Sequence, residues 1–209
     1  MQSVDGKPVY AATDLVGFLA CGHLTDLERS ALVGLVDKPI RDDPELDLIA
    51  ERGKEHEQVY AQRLRDDGRT VVDLDAERPD ALDRGTFYRQ QAAKTRAAIL
   101  GGDDVIFQAC FFDGTWLGFA DFLLRVDRPD APLGWAYEVA DTKLAHKVKA
   151  SALIQICVYN EMLQAIQGVY PERMHVALGG VARETATFRT ADFRAYYRAV
   201  KARFLETVS

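Results

Sequence analysis

The chain has 209 residues, 48% of them hydrophobic, and a formal charge of -6 at neutral pH, enough to bury a substantial core in one domain. The acidic balance argues against a generic electrostatic binder of nucleic acid, which needs a basic surface, but leaves local patches open. No apolar run approaches the ~18 residues that cross a bilayer, and the N-terminus lacks the basic-then-apolar order of a secretory signal, so a cytoplasmic protein with no membrane association is expected. The three cysteines, Cys21, Cys110 and Cys157, are odd in number and lie in hydrophobic surroundings. They predict buried thiols in a reducing compartment.

In chain order, Thr13-Asp14 predicts a short helix to about Ala20, and Leu27, Ala31 and Leu35 mark a second from Leu24 to Val36. A loop over Asp37 to Pro44 leads into a long amphipathic helix, about Pro44 to Asp67, with His56 in its middle and Gly68 just beyond it. Val71 to Leu74 reads as a short strand. After an Asp- and Pro-rich loop comes a helix from Thr86 or Phe87 to Leu100, stopped by Gly101-Gly102. Val105 to Phe112 and Thr115 to Val126 flank Asp113-Gly114, a strong hairpin signal, and Gly134 to Lys143 supplies a third strand. The apolar stretch Ala150 to Ile166 is too long for a typical strand and predicts a buried helix. Met174 to Leu178 returns as a strand that can pair with Ala186 to Phe188, and Asp192 to Leu205 is helical.

These elements predict the α/β class: a mixed sheet of three antiparallel strands, a crossover helix and a further strand, flanked by helices. Residues 1–70 read as a helical N-terminal part, 71–190 as the core and 191–209 as a C-terminal helix of one domain. The helical pattern runs to the last residues, which leaves open a longer protein.

The chemistry concentrates late in the chain. Asp121 sits among Phe119, Phe122, Leu123 and Leu124, where an ionised acid is costly unless paired or metal-bound. Asp141-Thr142-Lys143 closes another apolar run, and the two-residue strand period puts Asp141 and Lys143 on one face. Such a set suits a Mg²⁺ or Mn²⁺ ion and an attacking water. Gln155 and Tyr159, four apart on a mostly apolar helix, share a face and want partners. His56 can offer a neutral imidazole to a cation, favouring Mn²⁺.

Glu138 is an alternative acid, but its spacing from Asp141 turns it to the opposite side of the strand. His146 and Lys147 follow the third strand in a loop that can touch phosphate, whereas His23 and His175 lack acids at metal-ligand spacing. Two basic groups, Lys143, Lys147 and Lys149, and Arg194, Arg198, Lys201 and Arg203, fit either a nucleic-acid contact or a solvated face. There is no Gly-x-x-x-x-Gly-Lys phosphate loop.

In their order, His56, Asp121, Asp141-Thr142-Lys143 and Gln155 to Tyr159 resemble the RecB-like branch of the PD-(D/E)XK nuclease superfamily, whose members are often fused to helicase or RNase H-like domains. The likeness runs from Tyr10-Ala11-Ala12-Thr13-Asp14-Leu15 and Phe18-Leu19-Ala20-Cys21 to Phe193-Arg194-Ala195-Tyr196-Tyr197. The resemblance implies a restriction-endonuclease-like core and a metal-dependent nuclease acting on DNA, on single strands or ends, in repair or processing. His56, Asp121, Asp141 and the Thr142 carbonyl would hold Mn²⁺ or Mg²⁺. Lys143 would activate water, with Gln155 and Tyr159 positioning the strand. A different reading is a non-catalytic nucleic-acid-binding accessory module of a helicase or nuclease assembly. Some relatives carry an iron-sulfur cluster on one upstream and three C-terminal cysteines. No cysteine follows Cys157, so a buried Cys21 and no cluster are expected here.

Overall fold

The computed structural model describes residues 1–39, 43–179 and 184–209. Parts of two predicted connections, residues 40–42 and 180–183, lie outside the described residues. The elements run β1 (Gln2–Val4), β2 (Lys7–Ala11), α1 (Ala12–Ala20), α2 (Gly22–Leu32), α3 (Pro44–Asp66), β3 (Val71–Asp73), α4 (Arg84–Gly101), β4 (Val105–Phe112), β5 (Trp116–Asp127), β6 (Trp135–Lys143), α5 (Ala150–Gln167), β7 (Arg173–Leu178), β8 (Thr185–Arg189) and α6 (Ala191–Val208). The molecule is therefore mixed α/β, with an eight-stranded sheet and six helices among the described residues. No helix among them is long and apolar enough to cross a membrane.

Local chemistry explains most boundaries. Asp43 caps α3 by accepting from the Glu45 and Leu46 amides, with Pro44 at the first helical position. Asp83 caps α4 through the Thr86 amide, and Gly102 ends that helix in the left-handed conformation. The predicted second helix stops earlier than its apolar spacing suggests, because Gly34 adopts a φ of 77° and turns the chain away, leaving Val33 and Leu35 exposed.

β4, β5 and β6 form the predicted antiparallel run. α5 then carries the chain across to β7, which lies parallel to β6, and β8 pairs antiparallel with β7. β3 adds a parallel edge to β4. The N-terminal part is not purely helical, which corrects the reading of residues 1–70. β1 and β2 form a hairpin through Asp5 (φ 52°) and Gly6 (φ 74°), and β2 lies parallel to the start of β5. Two successive positive φ values match a type I′ turn, for which Asp-Gly is a favoured pair.

The sheet buries both faces. Ile106, Phe111, Leu123, Val139 and Val176 pack with Leu153, Ile156 and Leu163 of α5 in the larger cluster, which also takes in residues of α1, α4 and α6. In a second cluster on the other side α3 supplies the helical cover, through Ala61 and Leu64 against Phe107, Phe122, Leu124 and Ala140. Cys110 and Cys157 are buried as expected, and burial pushes both thiols up to about 12. Cys21 is exposed, contrary to expectation, because it forms the extended corner between α1 and α2 rather than a turn of either helix.

Candidate active site

The site forms where two strands part. β5 pairs with β6 from Asp127↔Trp135 back to Phe122↔Ala140; its far end, at Trp116 and Leu117, pairs with β2 instead. In the gap the Asp121 carboxylate replaces a backbone acceptor. Its Oδ2 accepts from the Thr142 amide at 2.7 Å and from Thr142 Oγ1 at 2.8 Å. Charge-assisted bonds of this kind fix the carboxylate firmly and leave its second oxygen for other work.

Gln108 lies opposite Asp121, between the pairs Phe107↔Phe122 and Ala109↔Ala120, and has a φ of 57°. Phe107 and Phe122 belong to the α3 side, whereas Ala109 and Ala120 belong to the α5 side. Residues two apart in a regular strand share a face, so both strands switch face at this step. The kink sends Gln108 towards α3, where its Nε2 donates to Glu57 Oε2 at 2.7 Å.

Asp141 is 1% exposed, and Lys143 Nζ sits 2.5 Å from its Oδ2, as the shared strand face predicts. Among the described residues that oxygen has no other donor. Burial first and the negative charge of Asp121 second raise the Asp141 carboxyl to about 7, with Lys143 only partly offsetting both. Glu57 is likewise raised to about 7, by burial first and Asp121 second, against the opposing Gln108 bond. Three acids thus share one electrostatic neighbourhood, and Lys143 is the lysine that acts on it among the described residues. An excess of hard oxygen ligands is what Mg²⁺ or Mn²⁺ would neutralise.

The donor chemistry of Asp121, Asp141 and Glu57 fits such an ion, although among the described residues no three His, Cys, Asp or Glu side chains are drawn together tightly enough to form a coordination group as they stand. His56 lies against β7, at the strand partner of Thr142. Its Nε2 lies 3.3 Å from the Ala177 carbonyl of β7, and its neighbour Glu57 faces the acids instead. Sequence reasoning missed Glu57, whose only signal was its place beside His56. It also missed Gln108, whose backbone conformation nothing in the residue type announces.

Gln155 and Tyr159 meet one another, with Gln155 Nε2 donating to Tyr159 Oη at 2.9 Å. Burial holds the Tyr159 phenol protonated. Its ring occupies the space a Cβ at Gly118 would fill, 2.5 Å from that position, so only glycine lets α5 approach β5 here. Gly179 has the same role at the end of β7. Its amide donates to the Lys143 carbonyl at 2.6 Å, and a Cβ would stand 2.5 Å from the Leu144 carbonyl oxygen.

Beyond Lys143, a cavity of about 210 Å³ is lined by Val16, Leu144, Lys147, Lys149, Ser151 and Gln155, with Lys143 at its border. Lys147 and Lys149 have no ion-pair partner among the described residues. His146 is exposed in the same loop. Glu138 faces away from Asp141, as predicted, and its Oε2 pairs with His175 Nε2 at 2.9 Å. Compared with known proteins, the chain matches no family model, and no curated protein matches it.

Proposed function

We propose that the chain is a metal-dependent nuclease that hydrolyses phosphodiester bonds in DNA, on single strands or ends, in repair or processing. The observation that carries this reading is the convergence of Asp121, Asp141 and Lys143 at the point where β5 and β6 separate, in a neighbourhood of negative charge that Lys143 only partly offsets. The order β4-β5-β6-α5-β7 around that point supports a restriction-endonuclease-like core.

When bound, Mg²⁺ or Mn²⁺ supplies positive charge against the charge that develops on the phosphate. Asp121 and Asp141 would hold it, with Glu57 and the Thr142 carbonyl completing the oxygen set. Lys143, fixed by Asp141, orients the attacking water and assists its deprotonation. The Lys147 and Lys149 ammonium groups, at the cavity that follows, draw the anionic strand towards Gln155 and Tyr159.

End-labelled single-stranded and duplex DNA, incubated with Mn²⁺ or Mg²⁺, should be cut by the wild type. Asp121→Ala and Lys143→Ala should each lose at least about 100-fold in rate while remaining folded. Cutting that survives Lys143→Ala in nuclease-free preparations would sink the mechanism. The Lys143–Asp141 ion pair, which already partly satisfies the acid, favours one second reading: an accessory module that binds nucleic acid for a helicase or RNase H-like partner. Tight DNA binding by a wild type that never cuts would select it.

A further inference from the structure

At the other end of β7 lies a cavity of about 420 Å³ lined by Tyr170, Arg173, Arg189, Thr190 and Arg194, with Glu172 at its rim. Its charges are arranged in a way folding alone does not favour. Arg173 of β7 and Arg189 of β8 are direct cross-strand partners in an antiparallel ladder. Like charges at such positions repel and destabilise the pairing. A third guanidinium, that of Arg194, lies 4.4 Å from the centre of the Tyr170 ring.

The acids around this set are largely engaged elsewhere: Glu138, which accepts from the Arg173 amide, pairs with His175 at 2.9 Å, Glu161, whose charge acts on Arg194, pairs with Lys201 at 2.8 Å, and Asp130 faces Arg128 at 3.4 Å. Glu172 is engaged by Arg128 at 3.1 Å, and Asp192 reaches Arg189 only at 4.0 Å. Arg173 has no ion-pair partner among the described residues. The start of α6 adds to the positive field. Thr190, the residue at its N-cap, turns its hydroxyl to the Pro171 carbonyl at 2.5 Å and gives its helix no side-chain cap. The Phe193 amide turns back to the Thr190 carbonyl at 3.1 Å, and the two amides before it, those of Ala191 and Asp192, have no acceptor among the described residues, at the start of an 18-residue helix beside the three arginines.

We propose that this cavity is a binding site for a phosphate group, held by Arg173, Arg189 and Arg194 at the open end of α6. Guanidinium forks match phosphate oxygens two at a time, and an aromatic face such as Tyr170 keeps one fork oriented. A bound dianion would turn the Arg173–Arg189 repulsion into shared attraction. The site is separate from the carboxylate cluster. Arg173 precedes Val176, the neighbour of Asp141, by three residues of strand, about 10 Å at ~3.3 Å per residue. The phosphate can belong to a free phosphoester or to the backbone of a nucleic-acid strand, and the proposal stands whether or not the chain cuts DNA.

The test uses the intact chain in metal-free buffer, with pyrophosphate and a short thymidine oligonucleotide as probes, followed by calorimetry and thermal melting. Wild type should bind pyrophosphate and melt higher in its presence. Arg173→Gln combined with Arg189→Gln should weaken binding at least about tenfold. It should also melt at the same temperature as wild type or higher without ligand, because the repulsion is gone. Oligonucleotide affinity that falls in parallel identifies a strand phosphate; oligonucleotide affinity that does not change identifies a free phosphoester. Absence of pyrophosphate binding by wild type, equal binding by the double variant, or a lower ligand-free melting temperature in that variant would each overturn the proposal.

Discussion

The two ends of the β6–β7 pair carry opposite imbalances. At the end of β6, Asp121, Asp141 and Glu57 crowd around one lysine, while at the start of β7 three arginines surround a cavity with its acids already engaged. Both arrangements oppose folding slightly, and they differ in how they are built. Asp141 is buried, Asp121 and Glu57 are half-buried, and Thr142, Gln108 and Lys143 hold them in place, so their geometry is fixed before any ligand arrives. The arginines are exposed side chains, free to close on whatever enters. A rigid centre suits chemistry, and an adaptable one suits holding.

The largest expected effect separates catalysis from stability. Asp141→Asn should reduce metal-dependent cleavage by at least about 100-fold, and yet raise the melting temperature of the metal-free protein at pH 7.5 by relieving repulsion from Asp121 and Glu57. A melting temperature that falls would mean that the Lys143 ion pair outweighs that repulsion.

Rigidity is tested next. Gly179→Ala forces a methyl group against the Leu144 backbone and should cost about 1–3 kcal/mol of stability. Cleavage should fall with it, since Leu144 follows Lys143 directly. Retained activity in a destabilised protein would show that the end of β6 tolerates movement.

The smallest effect is on pH dependence. Glu57 and Asp141 have folded pKa values raised to about 7 from ordinary values of 4.5 and 3.8. Between those limits the unfolded chain gives up protons that the folded chain keeps, so stability contributed by these groups falls as pH rises and levels off above about 7. Comparing wild type with Glu57→Gln from pH 5 to 7.5, the variant's relative melting temperature should increase with pH. Mn²⁺ should remove the difference in wild type by binding the ionised acids. A gap independent of pH would remove Glu57 from the acidic cluster.

Elements with strong periodicity or sharp punctuation were legible in the sequence. The Asp113-Gly114 hairpin, the apolar α5 and the Pro44 start of α3 each rest on local chemistry, and they appear within a few residues of expectation. The N-terminal hairpin was missed although Asp5-Gly6 is the same kind of turn signal. Its strands are short, and Lys7-Pro8 hides the alternation. In the site, Asp141 and Lys143 followed from strand period alone. Glu57 and Gln108 did not, because a kink shared by two strands is a tertiary event that no single segment encodes. Cys21 was misread for a related reason, since apolar neighbours do not bury a residue placed at a corner.

The pairing of β2 with β5 joins Tyr10 to Trp116 and Ala11 to Leu117. Such contacts between distant parts of the chain are entropically slow to close. During synthesis the first hairpin leaves the ribosome long before its docking edge exists, and α1 and α2 follow it without a core to cover. The edge strand β2 is thus joined to the sheet by a strand made much later, so that seam, a few residues from Asp121, waits for β5 before it can close.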